Sequence, residues 1–194
     1  KYAKSLGLLF ISTPLDIKSA DFLENIVDFY KIASGDNNFF PLIKNVILKK
    51  KPVIISTGFM NLGSINKLKK KIIKIIGKKN FFRKIAFLHC VSSYPTLPSE
   101  VNLRSIQRIK KITGATTGYS DHTIGIDAAL VALSLGAKII EKHFTLNKNF
   151  SNFRDHKLSA DPEEMKKLST WTKKIHSLLG DGEKKITNFE KANL

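Results

Sequence analysis

The feature that most constrains the fold is an alternation. Six short runs of apolar and β-rich sequence punctuate the chain: Leu8 to Ser12, Tyr30 to Ala33, Val53 to Ser56, Ile85 to Val91, Thr116 to Tyr119, and Lys138 to Phe144. Each has the length of a buried strand. The stretches between them carry helical periodicity. Ile65, Leu68, Ile72, Ile75 and Ile76 share one face of Ser64 to Ile76, which Ser64 is placed to cap, and Leu103, Ile106, Ile109 and Ile112 recur at steps of three. Thr123 to Gly136 contains the run Ala128 to Leu133 and ends on glycine, as a well-buried helix with a glycine C-cap does. Asp161-Pro162-Glu163-Glu164 supplies a capping carboxylate, a proline at the first helical position and a glutamate at the third. A strand recurs roughly every 20 to 30 residues, the period of repeated βα units with parallel strands, so the class is α/β. Right-handed crossovers then bring every strand C-terminus to one edge. A barrel needs eight such units. Six leave either an open sheet or a barrel with two units missing.

The 194 residues, 42% of them apolar, suit one soluble domain or part of one. No run of about 18 apolar residues exists to span a membrane, and Lys1-Tyr2-Ala3-Lys4 does not open a signal peptide. The single cysteine, Cys90, lies in an apolar run and reads as a small buried hydrophobe, consistent with a reducing compartment. A cytoplasmic protein is expected. The chain opens without an initiator methionine inside an apolar segment, as a piece of a longer protein would. A formal charge of +17 raises the question of nucleic acid. Against it, arginine, the residue whose planar fork suits phosphate and base recognition, occurs only at 83, 104, 108 and 154. The lysines instead fill the outer positions of helices, as in Lys67 to Lys74, so they read as solvated faces and neither nucleic acid nor membrane is an expected partner.

Chemistry gathers at the strand ends. Ser120-Asp121-His122 and Glu141-Lys142-His143-Phe144 end adjacent strands. Strand alternation puts Ile139, Glu141 and His143 on one side and Ile140, Lys142 and Phe144 on the other, so His143 points inward if Ile140 and Phe144 face the helices. Two imidazoles with no obvious third side-chain ligand leave coordination positions open, which fits a catalytic metal; Mn, Mg or Zn would all accept such donors. Thr13, Ser34, Ser56 and Ser92 end other strands, and Lys31 adds a point charge, a natural lining for phosphate or carboxylate. Ser34-Gly35 and Thr57-Gly58 also read as turn chemistry.

Six segments in order carry a family resemblance: Phe10-Ile11-Ser12-Thr13-Pro14, Tyr30 to Asp36, Ile55-Ser56-Thr57-Gly58, Leu88 to Thr96, Gly118 to Thr123, and Glu141 to Thr145. Together they resemble the catalytic barrel of the N-acetylneuraminate (sialic acid) synthases, a family that includes legionaminate, pseudaminate and spore-coat polysaccharide synthases. The resemblance implies a TIM (β/α)8 barrel, here lacking its first two βα units, with residues 1–194 forming a partial catalytic domain and the C-terminal antifreeze-like domain absent. It implies condensation of phosphoenolpyruvate with the open-chain aldehyde of an N-acetylated hexosamine, giving a nine-carbon 2-keto acid and phosphate. His122 and His143 match the family's divalent-metal ligands, usually Mn2+ with Mg2+ as the alternative. Thr13, Lys31, Ser34, Ser56, Ser92 and Ser120 match positions that contact phosphoenolpyruvate; Asp36, Tyr94 and Asp155 match sugar-contacting positions, and Asp36 joins the two histidines in the catalytic set. Asp36 stands where several members carry Glu, and Ser92 where some carry Asn. The resemblance further implies a homodimeric full-length parent, with this chain alone inactive. A related synthase of keto-deoxy sugar phosphates would need more arginine at the strand ends than Arg154 supplies.

Overall fold

The fold was described from a computed structural model, in which residues 1–193 are defined. Six strands, β1 (Ile11–Ser12), β2 (Phe29–Ile32), β3 (Val53–Ser56), β4 (Ile85–Cys90), β5 (Thr116–Asp121) and β6 (Ile140–Lys142), form one sheet in sequential order, every pair parallel. Register carries Tyr30 opposite Val53 and Val53 opposite Ile85. The sheet curls strongly. Lys31 on β2 and Glu141 on β6 are four strand spacings apart, about 19 Å on a flat sheet. Their side chains nonetheless form an ion pair at 3.2 Å. Curled, sequential and parallel, the strands have the architecture of a TIM (β/α)8 barrel, with six strands in place.

Helices α1 (Tyr2–Ser5), α2 (Ile17–Leu23), α3 (Phe40–Leu48), α4 (Leu62–Lys84), α5 (Ser105–Thr113), α6 (Asp127–Ser134), α7 (Arg154–Leu158), α8 (Pro162–Leu179) and α9 (Asn188–Lys191) complete the chain. The main core packs Tyr30, Ile32, Ile55 and Phe87 of the sheet against Leu42, Ile43 and Val46 of α3 and Ile65, Leu68 and Ile72 of α4. Each such burial stabilises by about 1.5–3 kcal/mol, which is why these strand and helix faces are apolar. Lys67, Lys70, Lys71 and Lys74 of α4 are exposed, as the spacing requires. Among the described residues no helix is long and apolar enough to cross a membrane.

Several local expectations shift. Ser64 does not cap α4: Asn61 Oδ1 accepts from Ser64 N at 2.9 Å, because Leu62 and Gly63 are already helical. That segment runs past Ile76, breaks at Gly77 (φ 78°, ψ 157°), and continues to a buried Phe81. α6 starts at Asp127 instead of Thr123, since Asp121 holds the Thr123 amide and hydroxyl; Gly136 (φ 95°) ends it where expected. Only Ala129 and Ala132 of α6 are fully buried, and Val131 is 50% exposed, so this helix is less buried than its composition suggests. The Asp161 capping box forms as read, with Asp161 Oδ1 accepting from Glu164 N at 2.9 Å and Glu164 Oε2 from Asp161 N at 3.3 Å. β1 is the weakest strand, two residues long at the sheet edge, and Leu8, Leu9, Phe10 and Ile11 around it are exposed. At the other flank Gly118 in β5 admits no side chain: a Cβ there would lie 2.3 Å from the Ile139 carbonyl oxygen.

Candidate active site

The ends of β2 to β6 converge on a cavity of about 570 Å³. Of the residues singled out in the sequence, Lys31, Ser34, Ser56, Ser92 and Tyr94 line it, as do Ser120, His122 and His143. Thr13 does not; it lines an adjoining cavity of about 660 Å³ that shares Lys31, Glu141 and Lys142. Asp36 lies in the 3-10 turn Ser34–Asp36, half-buried and off the cavity wall. Asp155, in α7, reaches the site through His143, with Oδ2 at 3.8 Å from Nδ1.

On the β2–β4 side the wall is uncharged apart from Lys31. Ser34 Oγ accepts from Gly58 N at 3.1 Å and faces Cys90 Sγ at 3.4 Å. Asn37, buried behind them, donates from Nδ2 to the Ser56 and Gly58 carbonyls, and Thr57 Oγ1 donates to the Leu88 carbonyl, so the three strand ends are stitched together. Within this frame the Ser56 and Ser92 hydroxyls are buried with no hydrogen-bond partner. A buried polar group left alone costs about 1–3 kcal/mol, a cost relieved when a ligand supplies the acceptor. Gly58 makes room for them. A Cβ there would lie 2.2 Å from Ser92 Oγ and 2.6 Å from Ser34 Oγ, so the glycine serves close approach rather than turn geometry.

The β5–β6 side is charged. His122 Nδ1 lies 2.8 Å from the Val91 carbonyl, which can only accept; the ring therefore carries a proton on Nδ1, and in its neutral form the Nε2 lone pair is free. Tyr94 packs on His122 with ring centroids 4.1 Å apart, and the two imidazoles are 5.6 Å apart, edge to face. Burial pushes the His143 pKa down and outweighs the pull of Asp155, keeping that ring neutral. For His122 burial acts the same way, but the Cys90 thiol and the Val91 carbonyl reverse it and the net direction is up. Behind the rings, Lys142 and Asp121 form an ion pair at 3.0 Å whose side chains are 1% and 0% exposed. Glu141 Oε1 pairs with Lys31 across the barrel, while Glu141 Oε2 is buried without a partner.

Sequence reasoning missed four participants: Cys90, Glu141, Lys142 and Gly58. Cys90 is buried as expected, yet its sulfur is part of the wall. Alternation had turned Glu141 inward, a signal that could have added it to the site.

Among the described residues no three His, Cys, Asp or Glu side chains are spaced to ligate one ion. The donors that do fit a divalent cation are the two imidazoles, with an unpartnered Glu141 oxygen on the same cavity and an unpartnered Asp155 Oδ1 beside His143. That set leaves positions open for water or substrate.

The family model of the NeuB family matches residues 1–184. The chain belongs to the NeuB family. An uncharacterised protein of Methanocaldococcus jannaschii is 48% identical over 95% of this chain and 53% of its own length. N,N'-diacetyllegionaminic acid synthase of Campylobacter jejuni is 41% identical over 100% of this chain and 57% of its own. The crystal structure of the N-acetylneuraminic acid (sialic acid) synthetase of Leptospira borgpetersenii, in complex with citrate, superposes with a TM-score of 0.87 at 34% identity, covering 98% of this chain and 65% of that one. The chain spans about half the length of the curated relatives it matches. The NeuB family is the one that the six strand-end segments resemble.

Proposed function

We propose that this chain forms the substrate-facing part of a sialic-acid- or legionaminate-type synthase that condenses phosphoenolpyruvate with the open-chain aldehyde of an N-acetylated hexosamine. The single observation behind this reading is the pair of buried, unpartnered hydroxyls, Ser56 and Ser92, on the cavity that His122 and His143 also line. Donors without acceptors on one side and imidazole lone pairs on the other suit an anion and a cation held side by side. Lys31, freed from Glu141, and the serines bind the phosphate and carboxylate of phosphoenolpyruvate. His122 and His143 would hold a divalent cation, Mn2+ or Mg2+, which would supply Lewis-acid polarisation of the aldehyde. In the reaction C3 of phosphoenolpyruvate bonds to the aldehyde carbon, water adds at C2, and phosphate leaves. Tyr94 and Asp155, beside the imidazoles, orient the sugar, with Asp36 beyond the rim.

The test is phosphate release from phosphoenolpyruvate with N-acetylmannosamine and related sugars plus Mn2+, on this chain and on a longer version that closes the barrel. The longer protein is expected to release phosphate and the chain alone little or none; His122→Ala is expected to abolish both turnover and Mn2+ binding. No release with any hexosamine, together with normal metal binding by His122→Ala, would overturn the reading.

A further inference from the structure

The Asp121–Lys142 pair has no partner in the chemistry just described. Asp121 and Lys142 alternate with His122 and His143 along β5 and β6, and their side chains are 0% and 1% exposed although Lys142 also borders the cavity. The layer around it is apolar, with Ile140 packed against Ala129 and Ala132 of α6. An ion pair buried among such residues is weak evidence for stability, because desolvation consumes most of the attraction; its best-attested use is to fix a registry. Here the registry is identifiable. Asp121 and Lys142 are direct partners in the β5–β6 ladder. A slip of one residue would break the pair and turn His143 toward the helices.

The carboxylate also fixes the local backbone. Asp121 Oδ1 accepts from the Thr123 amide at 2.9 Å, the Thr123 hydroxyl at 2.7 Å and the Tyr119 hydroxyl at 3.2 Å, closing a turn whose middle residue is His122. The Lys142 ammonium donates as well to the Thr123 carbonyl, so both strand ends bind the same turn.

We propose that Asp121 and Lys142 are positioning residues, a register pin between β5 and β6 that aims His122 and His143 into the cavity from one position upstream of each. This deepens the metal-site reading and rests on it for one readout only. The ring geometry can be tested without metal.

The experiment compares the wild-type chain with Asp121→Asn/Lys142→Met, which removes the pair without stranding a buried charge. In metal-free protein, long-range 1H–15N spectra are expected to show His122 as a single Nδ1–H tautomer in the wild type and as a tautomer average in the double variant. Titration with Mn2+ alone is expected to give affinity about 10- to 100-fold weaker in the variant, the range for lost outer-shell support. An unchanged tautomer with Mn2+ affinity within about twofold of wild type overturns the proposal. A wild type that binds no Mn2+ but loses its fixed tautomer in the variant upholds the pin and sinks the metal reading. Hydrogen exchange on the wild type gives a check that needs no variant: the Thr123 amide should be as protected as those within β5, and exchange at the rate of an open loop overturns the pin.

Discussion

The two halves of the cavity wall are built on opposite plans. On the β2–β4 side the backbone is tied down by Asn37 and Thr57 while the Ser56 and Ser92 hydroxyls are left without partners. On the β5–β6 side the side chains satisfy one another: His122 on Val91, Lys142 on Asp121, and Asp121 on Thr123 and Tyr119. The first half is rigid in its frame and presents unpartnered hydroxyls; the second ties its polar groups together behind the imidazoles and presents imidazole nitrogens with an unpartnered Glu141 oxygen. Deletions among the free hydroxyls of the first should therefore change anion binding, and deletions in the hydrogen-bonded network behind the imidazoles should change the fold.

The largest expected break in this contrast is Gly58→Ala. The added methyl overlaps Ser34 Oγ and Ser92 Oγ, so phosphoenolpyruvate affinity in calorimetry should fall below detection, with about 1–3 kcal/mol lost in denaturant unfolding from overpacking. Mn2+ affinity should hold, and its loss would show that the two halves are not separable. Ser56→Ala should weaken phosphoenolpyruvate by about 1.5–3 kcal/mol, the value of a hydrogen bond to a charged group, and raise stability by about 1–3 kcal/mol because it removes an unpartnered buried hydroxyl. Its counterpart Thr123→Val should do the reverse, costing about 1–3 kcal/mol of stability by stripping a donor from a buried carboxylate while phosphoenolpyruvate affinity stays level. If the two variants behave alike, the division fails.

The smallest effect is a pH dependence from His89, which belongs to neither half. Its Nε2 lies 2.7 Å from the Val101 carbonyl and its ring stacks on Tyr119. Burial, offset only in part by that carbonyl, holds its pKa below the ordinary 6.5. The unfolded chain then binds the proton first as pH falls below 6.5, so this contribution favours unfolding progressively down to the folded pKa and vanishes above 6.5. Unfolding free energy measured from pH 7.5 to 5 should fall less steeply in His89→Gln than in the wild type.

Much of this was legible from periodicity. The six apolar runs became the six strands, and the residues ending β2 to β6 face one cavity, because parallel βα units leave little choice of edge. What stayed hidden depends on pairs far apart in sequence. Lys31 meets Glu141 only because the sheet curls, and nothing local to either residue encodes that distance. Alternation put Lys142 on the side opposite His143, but a lysine there has no evident purpose until β5 places Asp121 opposite it. Gly58 read as a turn residue because the crowding that requires glycine comes from β2 and β4 meeting at β3. Ser64 and Asn61 are both good capping residues three positions apart, and the choice fell to the one at which the backbone leaves the extended region.

The frayed edge at β1 bears on how the chain behaves at high concentration. In this chain, a two-residue edge strand set among exposed Leu8, Leu9, Phe10 and Ile11 is a surface on which a further strand can pair. Opposing this is a charge of +17 shared by every molecule, a repulsion that reaches about 30 Å in 0.01 M salt but only about 8 Å in 0.15 M. Colloidal behaviour is thus inverted relative to salting-in: dilute buffer keeps the molecules dispersed, and added salt brings their edges together.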